Sequence, residues 1–133
     1  MRLLGVNISK RNFTVRGLEI LDNTQTLLEI KPARREYDVG TKDALQALKR
    51  DFDVLIRDWS IEKVYLRQRM EMASGLTFKA EAMLQLSADK RLALVSPQLI
   101  ARERNNVLSM KPGKLLGYQT EAWEAAIVGH RRK

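Results

Sequence analysis

Two acids and two amides stand where this chain could do chemistry. Glu121 and Glu124 lie three residues apart at the start of a helix predicted over 121–129, so both side chains can share one face. Asn7 is the one polar residue in an otherwise apolar strand, Leu3-Leu4-Gly5-Val6-Asn7-Ile8. Clefts in α/β sheets form at the carboxyl ends of central strands, so Asn7 is either a satisfied core amide or the start of a site. Gln68 follows a predicted fourth strand, with Arg67 and Arg69 on either side. The two glutamates also have a plain reading, as first-turn acids favoured by the helix dipole. His130 is the only histidine, and beside three basic residues it reads as a solvated tail residue. With one histidine and no cysteine, a His/Cys metal cluster, a disulfide and a cysteine nucleophile are all excluded.

The charge balance points to a partner. The 133 residues carry a net charge of +8, with a pI of about 10.0. Such an excess favours a polyanion, nucleic acid first. The basic residues gather in predicted loops and at the C-terminus: Lys10-Arg11, Lys31 with Arg34-Arg35, Arg67 with Arg69, Arg102 with Arg104, Lys111 with Lys114, and Arg131-Arg132-Lys133. A hydrophobic content of 44% supports one core and one domain over 1–133, with a basic tail from about residue 130. No stretch approaches the roughly 18 apolar residues of a membrane helix. No signal-peptide pattern opens the chain, so a cytoplasmic setting and no membrane partner are expected.

The elements that must position these residues follow from periodicity. The run Leu3–Ile8 is apolar enough for a strand buried on both faces. Ser9 to Asn12 reads as a tight turn. Phe13 to Leu21 alternates with a slip that suggests a bulge at Gly17. Thr26 to Lys31 reads as a third strand, stopped by Pro32, and Ala33 to Gly40 as a polar loop. Thr41 offers an N-cap for a helix to about Trp59, whose Leu45, Leu48, Phe52, Leu55, Ile56 and Trp59 share one face. Lys63 to Leu66 is a fourth strand, joined to the first three by a helical crossover and therefore parallel to a partner. Met70 to Gly75 reads as a loop. Thr77 caps a second predicted helix to about Ala88, with Ala82, Met83 and Leu86 facing inward. Arg91 to Val95 is a fifth strand. Ser96-Pro97 opens a short helix over 98–104 with a basic exposed face. A weakly patterned loop over 105–117 leads to the last helix. The order β-β-β-α-β-α-β-α, an antiparallel meander followed by two crossover strands, predicts an α/β fold with a five-stranded mixed sheet flanked by helices.

That order resembles the RNase H-like fold, and the residues resemble its RuvC-type branch. In that branch the first strand reads apolar-Gly-apolar-Asp, and here it is Leu4-Gly5-Val6-Asn7. The fourth strand of the branch ends on a glutamate, at the position taken here by Gln68. The last helix is similar to Asp-Ala-x-Asp-Ala followed by small and aliphatic residues, here Glu121-Ala122-Trp123-Glu124-Ala125-Ala126-Ile127-Val128-Gly129-His130. The chain resembles still more closely a family of small bacterial and phage proteins of RuvC-like fold. The matching segments are Arg67-Gln68-Arg69, Ser74-Gly75, Phe78-Lys79-Ala80-Glu81-Ala82 and Ser96-Pro97, and the likeness spans nearly the whole length.

The resemblance implies phosphodiester hydrolysis with two magnesium ions, which activate the attacking water and stabilise the leaving oxygen. Magnesium prefers charged oxygen ligands, so such a centre needs three or four converging carboxylates. The resemblance places them at Asn7, Gln68, Glu121 and Glu124, and two of the four are amides here. Only Glu121 and Glu124 remain as metal ligands, and weak or no two-metal binding is expected. The amides fit natural decay of a nuclease, ahead of a deliberate Asp→Asn and Glu→Gln inactivation. The resemblance also puts the basic loops beside a nucleic-acid cleft, with Lys10, Arg11, Arg67, Arg69, Lys79, Arg102, Arg104, Lys111 and Lys114 as phosphate contacts. These would give affinity and salt dependence, not sequence specificity. Phe13, Tyr37 and Tyr118 are candidates for base stacking, Phe13 also for the core. Three functions stay open. The first is a nucleic-acid-binding protein with a silenced centre, DNA being favoured. The second is a magnesium-dependent, structure-selective endonuclease similar to Holliday-junction resolvases. The third is a scaffold that binds another protein. A homodimer would suit a symmetric junction, with Met70 and Met72 as contacts, but no apolar stripe in the sequence fixes an interface.

Overall fold

The computed structural model describes residues 1–9, 12–37, 41–68, 75–113, 115 and 117–132, with the side chains of 75–78 left out. Three strands, β1 (Arg2–Ser9), β2 (Asn12–Leu21) and β3 (Thr24–Leu28), form an antiparallel meander. A short β4 (Arg34–Glu36) pairs with the start of β2. Then follow α1 (Lys42–Asp58), β5 (Lys63–Arg67), α2 (Gly75–Ala88), β6 (Leu92–Val95), α3 (Pro97–Val107) and α4 (Thr120–Arg131). The sheet order is β3-β2-β1-β5-β6, with β5 parallel to both β1 and β6. The chain is thus the α/β architecture expected, and the crossover logic that required parallel pairs holds.

Alternation along β1 divides the molecule. Leu4, Val6 and Ile8 point into a core with Leu48, Phe52, Leu55 and Ile56 of α1 and Ala80, Leu84 and Ala88 of α2. Leu3 points into a second core with Ile100 of α3 and Trp123, Ala126 and Ile127 of α4. Gly5 and Asn7 share the second face. A Cβ at Gly5 would sit 1.8 Å from the Ala122 carbonyl oxygen, and one at Gly129 would sit 2.2 Å from the Tyr65 ring. These two glycines are what let α4 lie directly on β1 and β5. The helix caps follow the sequence: Thr41 Oγ1 accepts from the Ala44 N–H at 3.1 Å, and Ser96 Oγ from the Leu99 N–H at 3.1 Å.

Several expectations need correction. The sheet has six strands, because Arg34–Glu36 pairs within what reads as a loop. Polar, basic β4 carries no hydrophobic alternation and is a strand only through its partner. The third strand ends at Leu28 rather than Lys31. The β1–β2 register runs unbroken from Arg2↔Glu19 to Ser9↔Asn12, so there is no bulge at Gly17. Gly17 instead makes room for Leu28 and Ile30, whose side-chain carbons would lie 2.9 and 2.8 Å from a Cβ there. The second helix begins at Gly75, ahead of Thr77. Its inner face is Ala80, Leu84 and Ala88, while Ala82 and Leu86 are exposed and Met83 packs only at the margin of the core. Leu and Met occur all round this helix, so composition alone could not orient it. The third helix runs to Val107, beyond Arg104. The predicted loop 70–74 lies outside the described residues. No helix among the described residues is long and apolar enough to cross a membrane.

Candidate functional site

The site stands at the carboxyl end of the two central parallel strands, where α4 crosses them. β1 delivers Asn7 and β5 delivers Arg67, while the first turn of α4 delivers Glu121 and Glu124 and α3 brings Arg104. Asn7 is 7% exposed. Its Nδ2 donates to Glu121 Oε2 at 2.7 Å, a contact across 114 residues of sequence. Its Oδ1 is buried with no hydrogen-bond partner. That pairing fixes the amide's orientation, because the opposite one would set two oxygens against each other.

Each acid has its own guanidinium. Arg67 Nη1 lies 3.4 Å from Glu121 Oε2, and its Nε is buried with no partner. Arg104 Nε donates to Glu124 Oε2 at 2.7 Å, and its Nη2 reaches Oε1 at 3.4 Å. Glu124 is buried, only 5% exposed, whereas the Arg104 side chain is 51% exposed. The hydrogen bond that Arg104 donates to Glu124, then the charge of that carboxylate, raises the Arg104 pKa above its ordinary value. A cleft of about 410 Å³ opens here, lined among others by Arg104, Lys111, Glu121, Trp123 and Glu124. A larger cavity of about 600 Å³ lies elsewhere, among Asp53, Arg57, Ile61, Glu62 and Arg91 at the amino end of β5.

The structure brings together Asn7, Glu121 and Glu124 but not Gln68. Gln68 is exposed, its backbone N–H donates to the Val95 carbonyl at 2.8 Å, and no hydrogen bond joins its side chain to the other three. Arg67, Arg104 and Lys111 flank the site. Arg102 is exposed on α3, and Lys79 is exposed on α2, in the helical layer on the opposite face of the sheet. Lys10, Arg11, Arg69 and Lys114 lie outside the described residues. Two of the aromatic candidates are structural. Phe13 is buried, and Tyr37 meets it edge-on at 5.4 Å while donating to Asp51 at 2.7 Å. Tyr118 is exposed, with the Arg34 guanidinium 5.4 Å from its ring centre. His130 is partly buried in the last turn of α4, not in a solvated tail.

Sequence reasoning missed three buried polar residues on the site's face of the sheet. Thr14 and Arg16 of β2 and Gln119 ahead of α4 are each 5% exposed or less. Arg16 lies opposite Gly5 in register and pairs with Glu29 at 3.4 Å. An arginine in a strand that alternates imperfectly was the available signal. Trp123, within the last-helix motif, donates from Nε1 to Gln25 Oε1 at 3.0 Å, and Gln25 in turn donates to the Met110 carbonyl.

A divalent-metal centre asks for converging, unpaired carboxylates. The residues present do not supply one. One amide donates an N–H to the cluster, the second makes no hydrogen bond to it, and both acids are matched to guanidinium cations. Among the described residues, no group of three or more His, Cys, Asp or Glu side chains could hold a metal ion.

A mixed sheet of this order, with a helix crossing its two central parallel strands, defines an RNase H-like domain of the kind found in Holliday-junction resolvases. The Thermus thermophilus RuvC structure superposes with a TM-score of 0.72 at 10% identity, over 96% of this chain and 92% of that one. T. thermophilus RuvC in complex with Holliday junction substrate gives 0.71 at 11% identity, over 96% and 91%. The fowlpox virus Holliday junction resolvase gives 0.53 at 14% identity, over 99% and 97%. The chain belongs to the family described as Protein of unknown function (DUF3010), whose model matches residues 1–129. No curated relative matches it in sequence.

Proposed function

We propose that this protein binds structured nucleic acid, DNA ahead of RNA, through the cleft beside Glu121 and Glu124, and that its centre cleaves poorly or not at all. The observation that carries this reading is the Asn7–Glu121 hydrogen bond at 2.7 Å. It sets a neutral amide where the nuclease resemblance calls for a metal-binding carboxylate, at the end of the strands where the fold forms its cleft. Exposed Lys111, which lines that cleft, supplies positive charge of the kind a phosphate backbone requires. Solved neighbours of the same fold include resolvases, two of them in complex with Holliday junctions. That likeness supports a branched substrate, and it also favours a second reading, a magnesium-dependent endonuclease with residual activity.

The test pairs binding and cleavage on branched, duplex and single-stranded DNA, in magnesium and in chelator. It compares the chain with Asn7→Asp/Gln68→Glu. The chain is expected to bind without cutting, and cleavage gained in the double variant would assign its silence to the amides alone. Cleavage by the unaltered chain would establish the second reading. Failure to bind at low salt would end both and favour a protein partner.

A further inference from the structure

We propose that Arg67 and Arg104 are built-in counter-cations that close this centre to divalent ions. Two carboxylates brought together at a strand end repel one another and need positive charge between or beside them. Here that charge is covalently attached: one guanidinium faces Glu121 at 3.4 Å and another faces Glu124 at 2.7 Å. The two acids and two arginines sum to zero, so a divalent ion entering beside them gains no net electrostatic attraction. The amide of Asn7 completes the arrangement by donating to Glu121 from inside the sheet. Its remaining oxygen, buried and without a partner, is a single neutral ligand atom. One such atom does not replace the charged oxygens a hard cation requires.

The two arginines differ in a way that ranks them. Arg67 comes from β5 and is largely enclosed, with a side chain 20% exposed. Arg104 comes from α3 and half its side chain faces solvent, yet it grips the more deeply buried acid through two nitrogens. Glu124 therefore depends on Arg104 for its charge balance, and Arg104 is the residue whose replacement opens the centre. Its bound edge, Nε and Nη2, faces Glu124, so the guanidinium has a fixed orientation rather than the freedom of an ordinary surface arginine.

This inference rests on the ion pairs and not on the nucleic-acid reading, so its test contains no nucleic acid. Manganese chloride is titrated into the full chain, into Arg104→Gln, Arg104→Lys and Arg104→Gln/Asn7→Asp, with thermal unfolding and calorimetry as readouts. The unaltered chain and Arg104→Lys are expected to show no saturable manganese effect in the low-millimolar range. Arg104→Gln should gain a manganese-dependent rise in Tm, and the double variant a rise of several degrees that saturates. If the double variant does not fold, Arg104→Gln alone decides, because its substitution lies at a half-exposed position. A saturable response by the unaltered chain, abolished by Glu124→Gln, would overturn the proposal. So would the absence of any response in both Gln-bearing variants, because the acids would then not be a cation site at all.

Discussion

At the scale of single residues, the site is defined by which atom of Asn7 faces Glu121. An aspartate at that buried position would set a second carboxylate 2.7 Å from the half-exposed Glu121. Asn7→Asp is therefore expected to lower stability by about 2 kcal/mol, from a lost buried hydrogen bond and the repulsion that replaces it. Denaturant unfolding at neutral pH in chelator measures this; an unchanged midpoint would show that the amide bond contributes nothing. Tyr37 provides a separate prediction. Burial first, and then its hydrogen bond to Asp51, raises its pKa from 10.0 to about 12. The folded protein therefore holds a phenol proton that the unfolded chain releases at lower pH. That contribution is fully present below pH 10 and fades as the pH rises towards 12. Tyr37→Phe should unfold with a shallower loss of stability over that window than the parent, and identical profiles would refute the assignment.

Among the elements, α4 carries both halves of the molecule's purpose. It brings the two acids, and it packs on β1 and β5 so closely that two glycines are required, Gly5 beneath it and Gly129 within it. Gly5→Ala would drive a methyl group to 1.8 Å from the Ala122 carbonyl oxygen and 2.9 Å from the Ala126 Cβ, neither of them the end of a flexible side chain. A loss of about 3 kcal/mol or more is expected, together with displacement of Glu121 and Glu124 from Asn7, seen as a large fall in Tm. Strong patterns made these elements legible in the sequence. The apolar run of β1, the α1 stripe and the caps at Thr41 and Ser96 were each written in residues that act locally. The rest lacked local signals. β4 exists because β2 offers it an edge, and α2 is apolar on too many sides to show which face is inward.

For the whole molecule, the relevant quantity is the field at the cleft. If Arg102 and Lys111 each meet a phosphate, removing either by alanine substitution should weaken DNA binding. The slope of log K against log salt should then fall by about 1 per residue removed. Lys79→Ala, on the other side of the sheet, should leave that slope unchanged. Equal effects at all three positions would mean that overall charge, not the cleft, does the binding. The sequence named Asn7, Gln68, Glu121 and Glu124 as a set through motif order along the chain; in the fold Asn7 meets Glu121, while Gln68 makes no hydrogen bond to the other three. It could not show that Arg67 and Arg104 are spent on those same acids, since ion pairing across 54 and 20 residues leaves no periodic trace.

The tight seat of α4 on the first strand also bears on synthesis. Leu3, Leu18 and Tyr65 form one wall of a core whose other wall includes Trp123, Ile127 and Val128. A ribosome makes β1 first and α4 more than a hundred residues later. Until that twelve-residue helix emerges, one face of the central sheet has only α3 to cover it. Nascent chains halted before Thr120 should therefore be protease-sensitive and recruit chaperones, and chains released after Arg131 should not.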